Sequence, residues 1–152
     1  MKNGMNILKD GTIKYFKGNK LHREDGPAII NANGNRYWYS YDKRHRIDGP
    51  AEEWADGSWC WYISGLIHRE NGPACFQPNF RYEWYKKGFL HRLTGPAIEY
   101  LDSYKQWFLN GTAVIEENHP FNIFRNEYNL SNKYEEWPKD KQMLFKLTYD
   151  VK

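Results

Sequence analysis

Along the chain the apolar positions arrive in short bursts rather than long runs. Aromatic pairs stand at Tyr15-Phe16, Trp38-Tyr39, Trp61-Tyr62, Trp84-Tyr85 and Trp107-Phe108, 23 residues apart each time. Between the bursts lie two kinds of polar turn signal. One runs Gly18-Asn19, Tyr41-Asp42, Ser64-Gly65, Lys87-Gly88 and Asn110-Gly111, the other Asp10-Gly11, Asn33-Gly34, Asp56-Gly57, Asn79-Phe80 and Asp102-Ser103. Such dipeptides supply the positive φ that tight hairpins need. The limb "SWCWYI", Ser58 to Ile63, is rich in β-forming residues and has the length of one strand. The other limb, Leu66 to Gln77, is twice as long and broken at Gly72-Pro73. Proline lacks an amide donor, so a corner is expected there. Each unit therefore predicts a β-hairpin with a kinked second arm.

A lone hairpin is unstable in water, so successive units are expected to pair edge to edge. Period 2 along a strand then predicts Trp38, Trp61, Trp84 and Trp107 as a row on one face. Tyr39, Tyr62, Tyr85 and Phe108 fall on the other. The expected fold is mainly β: an elongated antiparallel hairpin-repeat sheet over residues 10–111, about four and a half units, with a short α-helical C-terminal cap over 112–152. In the tail the repeat decays, Val114 standing where the next histidine would fall. Pro120 opens an expected helix through Tyr128, and Pro138 a second one, "PKDKQMLFKL", with Met143, Leu144 and Leu147 on one face. A cap is the expected role, since an open sheet end invites further pairing.

Composition narrows the class. Aromatic residues make up 18% of the chain and charged residues 27%, with a mean hydropathy of −0.92. Cohesion must come from rings with polar tips, and the chain is too aromatic to be disordered. The net charge is +3; from Thr112 onward 6 basic and 7 acidic residues leave the repeat half at +4 and the tail at −1. That asymmetry is too weak for a nucleic-acid or membrane patch. The opening "MKNGMNILKDG" has no apolar core of signal-peptide length. Two cysteines, Cys60 and Cys75, are too few for a disulfide framework, and the sequons at Asn110 and Asn129 carry little weight without a secretion signal. A reducing cytoplasm is the expected setting.

The chemistry-bearing residues sit inside the repeat. "HREDGPA", "HRIDGPA", "HRENGPA" and "HRLTGPA" begin at His22, His45, His68 and His91, each followed by Arg23, Arg46, Arg69 or Arg92. Catalysis needs one convergent constellation, whereas these are four evenly spaced copies with no recurring nucleophile. Residues adjacent in a strand point to opposite faces. The structural reading has arginine on a ring or paired with an acid such as Glu24 or Glu70, and histidine bonded to a turn carbonyl. The small alanine after each Gly-Pro leaves room for a neighbouring ring. The close cysteine or histidine pairs of a zinc site are absent, so no metal and no cofactor is expected. Aromatic rows with interleaved arginines suit base stacking, but Glu24, Asp25, Asp48, Glu52, Glu53, Glu70 and Glu83 would repel a polyanion.

Where the units disagree, large apolar residues appear: Trp54, Trp59, Phe76, Phe80, Phe89 and Leu90. These are candidate anchors for a protein partner, with packing against the tail helices as the competing reading.

The pattern W-Y-x-x-G-x-x-H-R-x-D-G-P-A preceded by "ADG" resembles the variant form of the MORN repeat. It is carried by Asp56-Gly57, Trp61-Tyr62, Gly65, His68-Arg69 and Gly72-Pro73-Ala74 and covers roughly Asp10 to Gly111. The resemblance implies relatives in bacteriophages and large DNA viruses. It also implies a non-enzymatic scaffold, as ordinary MORN sheets dock proteins, dimerise or sometimes contact lipid. Arg-x-x-Gly-Pro-Ala in place of the usual Gly-x-Gly removes the case for lipid. The expected function is a protein-binding module, a phage-encoded factor that engages a host protein of the defence kind in the host cytoplasm. A homo-oligomer is a further expected assembly. The alternative is a protein that sequesters a nucleotide or nucleic acid in an aromatic groove.

Overall fold

A computed structural model describes residues 3–149. The chain folds as an antiparallel sheet of hairpins followed by a helical C-terminal segment. Strand β1 (Gly4–Ile7) pairs with β2 (Ile13–Lys17), and β2 pairs with Ile29–Ile30. The sheet then adds Arg36–Tyr37, Glu52–Glu53, Trp59–Cys60, Cys75–Gln77, Arg81–Glu83, Ile98–Tyr100, Lys105–Leu109 and Thr112–Val114 in sequence order, and Lys20–Leu21 pairs with β2 beside this path. Neighbours in sequence are neighbours in space, and among the described residues no pairing closes the sheet into a barrel. The turns at one end follow from their Asx residues. Asp10, Asn33, Asp56 and Asp102 each accept, through Oδ1, the amide two residues on, the form that Asp and Asn side chains favour.

The limb "SWCWYI" is not one strand. Trp59–Cys60 lies in the main sheet, while Tyr62–Ile63 pairs with Leu66–Ile67 in a separate small hairpin. The same break recurs, with Tyr39–Ser40 against Lys43–Arg44 and Tyr85–Lys86 against Phe89–Leu90. Trp61 is the pivot. Its amide donates to the Ala74 carbonyl at 2.7 Å and its carbonyl accepts from the His68 amide at 3.1 Å, at the point where the chain leaves the main ladder. Tyr15, Trp38 and Trp84 make the same two bonds with Ala28 and His22, Ala51 and His45, Ala97 and His91. In the Trp38, Trp61 and Trp84 units both arms therefore bend, not only the arm with Gly-Pro, whereas Ile13–Lys17 and Lys105–Leu109 run unbroken.

The small hairpins form a second hydrogen-bonded row. The amides of Arg23, Arg46, Arg69 and Arg92 donate to the carbonyls of Tyr39, Tyr62, Tyr85 and Phe108 in the next unit. Asp42, Gly65, Gly88 and Gly111 at the tips donate back to Leu21, Arg44, Ile67 and Leu90. Each junction is thus bonded twice, which offsets the small core of any one hairpin.

The largest apolar cluster lies at the C-terminal end. Helix α1 (Pro120–Glu127) and helix α2 (Lys139–Tyr149) bring Phe121, Phe124, Trp137 and Phe145 onto Trp107 of the last repeat. Met143, Leu144 and Leu147 do not form the buried face of α2. They are 65%, 38% and 73% exposed, and Phe145, with Tyr149 beside it, faces inward instead. The Phe145 ring fills the space beneath Trp137, packing edge-on to it with centroids 5.5 Å apart, while the neighbouring aliphatic residues point elsewhere.

Candidate functional site

The four His-Arg pairs do not converge. Each arginine folds back over the ring of its own unit: Arg23 over Tyr15 at 4.0 Å, Arg46 over Trp38 at 4.2 Å, Arg69 over Trp61 at 4.3 Å and Arg92 over Trp84 at 3.9 Å. Nη1 of each then donates to the proline carbonyl four residues on, Pro27, Pro50, Pro73 or Pro96. Each guanidinium thus covers the ring residue of its own unit. Ala28, Ala51, Ala74 and Ala97 are fully buried at the pivots, where their carbonyls hold the ring residues' amides.

The acids are distributed differently from the expectation. Arg23 and Arg46 pair with Asp25 and Asp48, whose carboxyls these bonds hold below the ordinary aspartate value. Arg46 and Arg92 also reach Glu53 and Glu99. Glu24 and Glu70 face Nε2 of His22 and His68 instead, and Glu24 also pairs with Lys17 at 2.9 Å. Histidine Nδ1 meets a turn amide, not a turn carbonyl. Ser64, Lys87 and Asn110 donate to Nδ1 of His45, His68 and His91 across the junction to the next unit. The proton consequently sits on Nε2 in these three rings. His22 departs from this and is stacked under Tyr41 at 4.2 Å.

The six divergent apolar residues fall in three places. Trp59 and Phe76 are cross-strand partners, and Phe76 opposes Tyr82 on the next strand. Their rings lie against one another, with centroids 5.7 and 4.7 Å apart, so most ring faces are covered within the ladder. Trp54 stands edge-on to Tyr37 near the turn end of the sheet, and Phe80 edge-on to Tyr100 in a later turn. Phe89 and Leu90 belong to the second row, where Leu90 opposes Tyr85 and Phe89 extends over Gly111. Phe89 and Phe80 are 58% and 48% exposed, and Leu66, one unit before Phe89, is 51% exposed. None of the six belongs to the apolar cluster around the tail helices.

Two features lie outside what the sequence suggested. Cys60 and Cys75 are cross-strand partners and form a disulfide with Cα atoms 4.2 Å apart. Their positions in the repeat differ, but antiparallel pairing of neighbouring units makes them opposite one another. On either side along the same line stand Glu52 and Glu83. Glu52 is buried and ion-paired with Arg44, whose guanidinium lies 5.5 Å from the rings of Tyr39 and Tyr62. Burial raises the Glu52 carboxyl above its usual range, and burial with the nearby Glu52 charge pushes the Tyr62 phenol up to about 12. Glu83, Arg81 and Tyr85 repeat the arrangement beyond the disulfide. The signal for the Arg44 cluster was an arginine where other units carry leucine or isoleucine.

Open grooves lie between successive Gly-Pro loops. One of about 660 Å³ is lined by Arg23, Asp25, Trp38, His45, Arg46 and Asp48; one of about 310 Å³ by Arg69, Trp84, His91 and Arg92. Among the described residues, no group of three or more His, Cys, Asp or Glu is placed to hold a metal ion, and no helix is long and apolar enough to cross a membrane.

These observations define a class: an open, hairpin-repeat β-sheet whose repeated polar residues bind the fold to itself. No protein-family model matches the chain, and no curated protein matches it.

Proposed function

We propose that the protein is a non-enzymatic protein-binding module, a MORN-like factor of viral origin that docks a host protein in the host cytoplasm. The observation that carries this reading is the division of labour among side chains. The repeated His, Arg, Trp and Ala are engaged in bonds within and between units, while the apolar residues that vary from unit to unit include exposed ones, Leu66, Phe80 and Phe89. Large exposed apolar side chains on a rigid sheet are the usual anchors of a protein interface.

The test is affinity capture from host lysate with cross-linking and mass spectrometry, using wild type and a Leu66→Ser/Phe80→Ser/Phe89→Ser variant of matched thermal stability. A specific partner cross-linked near Phe80 or Phe89, and lost at least tenfold in the variant, is the expected result. Equal recovery by both proteins would refute the assigned surface. The groove beside Trp38 supports a second reading, sequestration of a nucleotide. That reading stands second because Arg23 and Arg46 already hold Asp25 and Asp48 there and cover the faces of Tyr15 and Trp38. Trp fluorescence titration with nucleotides distinguishes the two.

A further inference from the structure

Every arginine of the repeat half has a partner. Arg23, Arg36, Arg44, Arg46, Arg81 and Arg92 each face a carboxylate, and Arg69 donates to the Pro73 carbonyl. Arg125, in the last turn of α1, is the exception. Its Nε is shut off from solvent and has no acceptor among the described residues. A second donor at the cap junction shares that condition. Trp107 is 7% exposed, and its buried Nε1 meets no acceptor either, whereas Trp137 donates its indole N–H to the Ser131 carbonyl at 2.7 Å. Buried donors without acceptors are rare in folded proteins, and each calls for an explanation.

Both residues line one cleft of about 250 Å³ between the last repeat and the helical cap. Phe121 and Asn122, both buried, line it beside Trp107. Among its charged residues Arg92 and Glu99 are spent on one another, and Lys133 is held by Glu136 at 3.0 Å. Lys105 and Arg125 then stand against Glu116 and Glu135, so the cleft as a whole carries little net charge. A dianion or a polyphosphate is disfavoured there, while a single negative charge matches the one unpaired guanidinium. No earlier unit builds such a site. Its ring lies under its own arginine, whereas Ile115 stands where the arginine of the last unit would fall.

We infer that this cleft binds a carboxylate, the acid group of a small molecule or of a polypeptide C-terminus, accepted by the Arg125 guanidinium and the Trp107 indole N–H. Both groups are donors only, so an acceptor is the one kind of ligand atom that completes them. The planar fork of a guanidinium fits the two oxygens of a carboxylate in shape and in charge. Both N–H groups are closed to solvent, so the acid enters as the long Arg125 side chain turns toward it. The cleft is smaller than the roughly 300–1,000 Å³ of a drug-sized pocket, so the ligand beyond its acid group is short, or leads out to solvent.

The test follows the seven indole N–H signals in proton–nitrogen correlation spectra of the full chain, with Trp107 assigned by its loss in Trp107→Phe. Acetate and N-acetyltriglycine should each shift the Trp107 signal saturably, with a dissociation constant on the order of 1 mM. Tighter binding of the peptide acid assigns the site to a polypeptide C-terminus, and tighter binding of acetate to a small acid. Sodium chloride at equal ionic strength and the C-terminal amide of N-acetyltriglycine should leave the signal in place. Arg125→Gln should weaken both acids about tenfold or more, and so should Arg125→Lys, which keeps the charge but loses the fork. A shift common to acid and amide, no saturation up to about 50 mM, or an unchanged response in Arg125→Gln would overturn the inference. So would inorganic phosphate binding more tightly than either acid.

Discussion

At Gly49 a Cβ would lie 2.5 Å from Cζ of Arg46, and at Gly95 it would lie 2.9 Å from Cζ of Arg92. The glycine of the Gly-Pro-Ala run thus leaves room for the guanidinium that stacks on the tryptophan and bonds the proline carbonyl. Arg46 holds one ring contact, the Pro50 carbonyl, Asp48 and Glu53 at once. Gly49→Ala is expected to displace it and cost about 2 kcal/mol, as is Arg46→Ala alone. Since both changes remove the same contacts, the double variant should also lose about 2 kcal/mol rather than 4. Urea denaturation of the four proteins measures this; additive losses would mean that glycine and arginine act separately.

Among the hairpins, the repeat period was legible because turn residues and ring pairs recur at one spacing, and the turns at Asn33-Gly34 and Asp56-Gly57 form as their Asx residues dictate. The break at Trp61 was not legible. A six-residue run of β-formers reads as one strand, and nothing in it marks Trp61 as the residue where pairing passes from the main sheet to the small hairpin. The same holds for the disulfide. Cys60 and Cys75 occupy different repeat positions, so they become partners only once the register between neighbouring units is known. On α2 the aliphatic residues outnumber Phe145, yet ring-to-ring packing with Trp137 and Phe124 decides which side is buried. Of the candidate partner residues, composition picked out exposed Phe80 and Phe89, but could not show that Trp59 and Phe76 are spent on one another. Closing a loop across a separation of 15 residues, the disulfide should contribute about 3 kcal/mol through the entropy of the unfolded chain. Thermal melts with and without reductant check this, and a Cys60→Ser/Cys75→Ser variant should match the reduced protein.

Across the whole molecule, one buried ring hydrogen-bonds the helical cap to the repeat sheet. His119 is fully buried; its Nδ1 accepts the Phe121 amide at the start of α1, and Nε2 donates to the Arg92 carbonyl at 2.9 Å. It packs against Trp107, where earlier units place an arginine and the last unit has none. Burial pushes its pKa down from 6.5 to about 4, against the opposing pull of the Arg92 carbonyl. The unfolded chain therefore binds a proton that the folded chain refuses between pH 6.5 and 4. Its contribution is complete above the unfolded value and is lost as pH falls toward the folded one, by about 2 kcal/mol between pH 7 and pH 5. Denaturant titrations across that interval should show the slope, and His119→Asn, which retains an oxygen acceptor for the α1 amide, should flatten it.

The bonds from Arg23 to Tyr39, Arg46 to Tyr62, Arg69 to Tyr85 and Arg92 to Phe108 are interchangeable, as are those at the hairpin tips. In the gene, slippage that gains or drops one full stretch of 23 codons leaves a chain whose remaining joints still fit. An insertion of any other length within a strand puts rings where guanidinium groups belong from that point to the next turn. A length change of one whole unit is therefore the change that the joints between units accommodate.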